Sequence, residues 1–171
     1  LALSTVIQAT AAESSEGVQQ VQANVAPTLE LTVPADYYFG FLSVGDNESP
    51  AQDLFVQSNR PYSILVRGDR ANMAHWLTGP GMYLPAAQCA NCNRPGPGIL
   101  LTPMEWKPEA GAYANISTQD VGIDSGLPST GSVGATTRVR YRQEALFSDY
   151  TLNWNCCRYN IILTFTASQD I

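Results

Sequence analysis

The sequence predicts an all-β protein, an antiparallel β-sandwich of jelly-roll or Ig-like type with an extended N-terminal strand, on three observations. Apolar residues recur with period two in several short segments, the spacing of a half-buried strand. Gly and Pro, 13 and 11 of 171 residues, interrupt the chain at short intervals, as turn-rich β proteins require. No segment sustains a 3.6-residue period between caps, so the crossover helices of a doubly wound sheet are missing. The length is that of one domain, and 44% hydrophobic residues suffice for its core.

The elements follow in order. Over 21–33, Val21, Ala23, Val25, Pro27, Leu29, Leu31 and Val33 alternate with mostly polar neighbours, and Pro27, which cannot donate to a ladder, divides the stretch into two strands. Tyr37-Tyr38-Phe39-Gly40-Phe41-Leu42-Ser43 reads as the next strand and Val44-Gly45-Asp46-Asn47 as a turn. Leu54-Phe55-Val56 and Tyr62-Ser63-Ile64-Leu65-Val66 are strands on either side of the turn Ser58-Asn59-Arg60-Pro61. Residues 69–134 read as long loops with short strands, a helical turn at 73–77, and breaks at Gly79-Pro80-Gly81 and Arg94-Pro95-Gly96-Pro97-Gly98. Alternation returns at Arg138-Val139-Arg140-Tyr141-Arg142. A final strand sets Tyr159, Ile161, Leu163, Phe165 and Ala167 against Ile162, Thr164, Thr166 and Ser168.

The first twelve residues carry no charge and place Leu1, Leu3, Ile7 and Ala9 on one strand face. Such a segment is too apolar for a free tail, and an open sheet edge of a neighbouring copy would hold it by backbone ladder and alternate side-chain pockets. Leu1, Leu3, Val6 and Ile7 are therefore the expected subunit contacts. Glu13-Ser14-Ser15-Glu16-Gly17 is a polar joint, so residues 1–17 form the donor segment and joint, and 18–171 one sandwich domain. The competing reading is a signal-peptide remnant whose Ala9-Thr10-Ala11-Ala12 end releases a chain beginning near Glu13. A pilin-like helix is disfavoured by the crowd of Ser, Thr and β-branched residues. With no initiator Met, no basic n-region and no apolar run of membrane-span length, the chain is expected to be a processed, extracellular or cell-surface product.

Only 14% of residues are charged, Lys107 is the single lysine among nine basic residues, and the net charge is −6. That balance argues against nucleic acid as a partner.

Four cysteines fall in two close pairs, Cys89 with Cys92 and Cys156 with Cys157. Successive strand residues point to opposite faces, so a bond within Cys156-Cys157 is strained and two cross-links between the pairs are favoured. Each would close a long loop and stabilise by about 3 to 4 kcal/mol. A four-thiolate zinc site is the rival, but the second pair lacks the two-residue spacer. Asn47-Glu48-Ser49 and Asn115-Ile116-Ser117 are sequons for N-glycosylation, the first weakened by Pro50.

Ala23 to Val33 with its alternation, then Phe39-Gly40, then Ser58-Asn59-Arg60-Pro61-Tyr62-Ser63-Ile64-Leu65-Val66 and the terminal strand from Tyr159 to Ser168 resemble secreted prokaryotic sandwich modules. Such modules occur in WxL-like cell-surface proteins and are similar to the subunits of archaeal bundling pili and TasA-like fibres. The resemblance covers roughly half the chain and lacks a WxL-type tryptophan motif. It implies assembly by donor-strand complementation and brings no catalytic residue with it.

No other motif carries chemistry. His75 is the only histidine and has no catalytic neighbour in sequence. Glu105, Glu109, Asp120 and Asp124 would supply a glycosidase-type carboxylate pair if their loops converge, with solvated loop acids as the usual explanation, and the spacing of Glu109, Asp120 and Asp124 matches no EF-hand. Arg67-Gly68-Asp69 reads as a strand end. Arg138, Arg140 and Arg142 share a face that suits acids of an adjacent subunit, anionic glycans or solvent. Trp76, Tyr83 and Trp106, if exposed, would form a sugar-stacking platform. The expectation is a non-enzymatic, cofactor-free structural subunit of an extracellular filament or pilus. Its partners would be identical copies. The alternative is a monomeric module binding cell-surface glycans or the cell wall.

Overall fold

The computed structural model describes residues 20–77, 81–83, 98–149 and 157–169. Among these there are twelve strands and no helix: β1 (Leu29–Thr32), β2 (Gly45–Glu48), β3 (Gln52–Ser58), β4 (Tyr62–Gly68), β5 (Ala74–Leu77), β6 (Met82–Tyr83), β7 (Glu105–Pro108), β8 (Ala114–Asn115), β9 (Val121–Leu127), β10 (Ala135–Ala145), β11 (Cys157–Asn160) and β12 (Leu163–Gln169). Every pairing is antiparallel.

The eleven-residue β10 is the spine of the first sheet, ordered β1-β3-β10-β7-β8. It alternates cleanly, burying Val139, Tyr141, Gln143 and Ala145 while turning its arginines outward. One edge of β10 pairs with β3 near its start and with β2 near its end, so β2 and β3 lie end to end with Ser49, Pro50 and Ala51 between them. Pro50 has no N–H. Ser49 bridges the gap: its backbone N–H donates to Tyr141 O at 2.9 Å, and its hydroxyl accepts the Tyr141 N–H at 2.8 Å. A side-chain oxygen thus satisfies a buried ladder donor.

The turn through Asn59, Arg60 and Pro61 passes the chain from β3 in the first sheet to β4, the centre of a second sheet ordered β12-β4-β9. Leu54, Val56, Trp106, Val139 and Tyr141 of the first sheet pack with Tyr62, Ile64, Val66 and Ile123 of the second in one buried cluster, which makes the fold a sandwich. A third small sheet, β11-β5-β6, adds buried His75 and Cys157.

Strands 54–56, 62–66 and 138–142 lie inside β3, β4 and β10 as expected. Elsewhere the structure corrects the sequence reading. Of the 21–33 alternation only Leu29–Thr32 is a strand; Val21 and Val25 are 83% and 84% exposed. The reason is the partner: β1 starts at Leu29 opposite Ser58, where β3 turns away, so the residues before it have no ladder to join. Residues 37–43 are irregular. Phe39 packs on the core, Tyr37 lies edge-on to it at 4.9 Å, and the Arg158 guanidinium sits 4.7 Å over Tyr38. The expected turn at Val44 to Asn47 is mostly β2. The Asn47 side chain supplies the turn contacts instead, accepting Ser43 N–H and donating to Ser43 O. The expected helical turn at 73–77 is mostly β5, because β11 offers a ladder that sets His75 opposite Tyr159. The single final strand is two. Asp69 caps the break, taking Ile162 N–H on its carboxylate at 3.0 Å and donating its own N–H to Ile162 O at 2.9 Å.

Candidate functional site

A sheet edge offers unpaired backbone groups to any strand that reaches it, so the edges are the surfaces to which a further strand can add. Most are short or guarded. β8 and β6 have two residues each, β1 carries Glu30, and β11 carries Arg158. β9 is broken by register shifts opposite Tyr62, Ile64 and Leu65, and it contains Gly122, Asp124 and the positive-φ Gly126.

β12 differs from all of these. Its sequence, Leu163-Thr164-Phe165-Thr166-Ala167-Ser168-Gln169, has no charge and no proline, and all seven residues pair with β4 in unbroken register. Leu163, Phe165 and Ala167 face inward yet are only half-buried, while the alternate residues of its neighbour β4 are buried. Both ends are clamped. Asp69 holds Ile162, and Gln169 Nε2 donates to Thr28 O at 2.7 Å and to Ser58 Oγ at 2.9 Å. A regular, clamped, uncharged edge over a partly open apolar face therefore lies beside β1.

At the Gln169 end lies a groove of about 500 Å³ lined by Val25, Thr28, Leu29, Ser58 and Asn59, among others. Asn59 organises this corner. Its Nδ2 donates to Ala26 O and its Oδ1 accepts Thr28 N–H, both at 2.9 Å. The chain ahead of Ala26 thus leaves the sandwich next to the β12 edge.

The predicted contact residues Leu1, Leu3, Val6 and Ile7 lie outside the described residues, as do Cys89, Cys92 and Cys156. Cys157 is 1% exposed and disulfide-bonded. Asn47 is half-buried, and Nδ2 donates to Ser43 O, Gly45 O and Gln143 O. Asn115 is exposed on β8.

Arg138, Arg140 and Arg142 do share the outer face of β10, but their acids come from the same chain. Arg138 meets Asp53 at 3.0 Å, Arg140 meets Glu109 at 3.2 Å, and Arg142 meets Glu105 at 2.6 Å and Asp46 at 3.2 Å. The hydrogen bond that Arg142 Nε donates to Glu105 raises the Arg142 pKa above its ordinary value. These contacts also place Glu105 and Glu109 in ion pairs, while Asp120 pairs with Arg67 at 3.8 Å. Among the described residues no group of three or more His, Cys, Asp or Glu side chains is placed to hold a metal.

The sugar platform is overturned at Trp106, which is 4% exposed in the core opposite Tyr141. Trp76 lies edge-on to Tyr83 at 4.7 Å, and the Arg70 guanidinium covers Tyr83 at 3.2 Å. His75 is buried against Tyr159 at 5.1 Å, and burial lowers its pKa below the ordinary imidazole value. Arg67-Gly68-Asp69 ends β4 rather than projecting. A Cβ on Gly68 would meet Ile116 Cγ2 and Arg70 O.

The sequence signal for β12 was present in its uncharged alternation, but its edge position depends on the break at Ile162, which only the fold reveals. Comparison with protein families, curated proteins and solved structures finds no match to this chain.

Proposed function

We propose that the protein is a structural subunit of an extracellular filament, in which residues 1–7 of one copy add as a strand to β12 of the next. The observation that supports it is the β12 edge: seven residues in unbroken register, without charge, bulge or proline, over half-buried Leu163 and Phe165. An incoming strand satisfies the unpaired backbone groups of β12 and sets Leu1, Leu3 and Ile7 against that apolar side. Fully burying one such side chain contributes about 1.5 to 3 kcal/mol as an upper bound. From the anchor at Ala26 the preceding chain, if extended, spans roughly 60 Å before Ile7, enough to reach another copy. Donor and acceptor are different surfaces, so the contact is heterologous and propagates into an open filament. The two cysteine pairs serve in this reading as cross-links within the subunit. The glycan-binding alternative loses its platform to the burial of Trp106.

Negative-stain electron microscopy of the purified chain, at neutral pH without reductant, tests the proposal. Regular filaments are expected, and they are expected to disappear in the Leu3→Asp, Ile7→Asp double variant. Uniform monomers, or filaments unchanged in that variant, overturn it.

A further inference from the structure

The fold treats the two sequons in opposite ways. Asn47 pairs with Gln143 across β2 and β10, and Gln143 is fully buried. Directly opposed residues of a ladder share a face, so the Asn47 side chain points to the core side. Its Nδ2, the atom a glycan would occupy, donates to Ser43 O at 2.8 Å, Gly45 O at 2.9 Å and Gln143 O at 3.2 Å. The sequon hydroxyl is committed as well, because Ser49 is 2% exposed and accepts the Tyr141 N–H. A sugar on Asn47 would displace the contacts that seat β2 on β10.

Asn115 stands on the last strand of the same sheet. It is exposed, and it lies opposite Glu105, whose carboxylate is on the outer face with Arg142. No hydrogen bond to its side chain occurs among the described residues, and its neighbour Ile116 is 3% exposed, which fixes the strand beneath it. Ser117 orders the segment that follows by accepting Gln119 N–H on its hydroxyl at 3.0 Å.

We infer that Asn115 carries an N-linked glycan and Asn47 does not, and that this glycan caps the β8 edge of the six-stranded sheet. The co-reactant is a lipid-phosphate-linked oligosaccharide. Asn115 Nδ2 attacks the anomeric carbon, the bond from that carbon to the phosphate oxygen breaks, and the lipid phosphate leaves with the electron pair. The amide proton passes to a base of the transferase. At two residues β8 is already a short edge, and a glycan beside it adds a second guard against unwanted strands. A hydrated, bulky group there closes the rim and leaves β12 as the available edge.

The test is peptide mapping of the full-length protein, isolated from its native cells and also secreted from a glycosylating host. Release of the glycan by peptide N-glycosidase in heavy-oxygen water marks each occupied site as a labelled Asp. The expected result is label at residue 115 and none at residue 47 in both samples. Ser117→Ala is expected to abolish the label with secretion yield unchanged. Label at residue 47, or an unoccupied Asn115 in the native protein, overturns the assignment.

Discussion

β12 and β9 flank the same central strand, β4, and face the same core, yet one edge is unguarded and the other is blunted. β12 is uncharged and in register for seven residues. β9 slips register opposite Ile64, carries Asp124 on its exposed side and weakens itself with Gly122 and Gly126. Bulges and charges are the usual means of blunting an edge. Their presence on one side of β4 and absence on the other separates a guarded edge from an unguarded one.

The most disruptive way to break the comparison is through the strand both edges share. Ile64 is fully buried at the centre of β4, and Ile64→Ala is expected to cost about 2 to 5 kcal/mol, read as a lower urea midpoint with both edges lost together. A variant in which only one edge loses amide protection would show that the edges fold independently.

Next in size is the effect of charging one edge alone. Thr164 and Thr166 face outward on β12, so Thr164→Lys with Thr166→Lys should abolish filaments while changing stability by no more than about 0.5 kcal/mol per site. Sedimentation and a denaturant melt on the same sample separate the two effects. Persistence of filaments would move the acceptor away from β12.

Unguarding β9 sharpens the comparison from the other side. A Cβ on Gly122 meets nothing within 4 Å, so Gly122→Thr with Asp124→Thr is expected to stabilise by up to about 1 kcal/mol through strand propensity. The register shifts at Ile64 remain, so no new association is expected by light scattering. Aggregation of this variant would show that charge, not the bulge, protects β9.

The smallest effect lies off both edges. Burial lowers the His75 pKa below its unfolded value of 6.5, so the folded state binds fewer protons in the window just below that value. Stability is full above about pH 6.5 and declines as pH falls from there toward the lowered folded pKa. The urea midpoint should drop as pH falls below the unfolded value of 6.5, and His75→Gln should flatten that drop. An equal drop in the variant would assign it to another group.

Much of the fold was legible in sequence because alternation reports which face of a strand is buried. It located β3, β4 and β10, and it set Arg138, Arg140 and Arg142 together on the face away from Val139 and Tyr141. It overreached at 21–33, where the pattern continues past the end of the available partner, and at 37–43, where aromatic residues pack on the core without pairing. Alternation states how a strand would present its faces, not whether another strand lies beside it.

By itself the sequence determined the fold class, the core faces of the long strands and the uncharged character of residues 163–169, since these depend on period and composition. Only the tertiary structure decided that Trp106 is core, that the arginines find their acids within the chain, that Asn47 turns inward while Asn115 stays exposed, and that β12 ends its sheet. Each of those depends on contacts between residues far apart in the chain. They follow from which strands meet, and no local pattern encodes that.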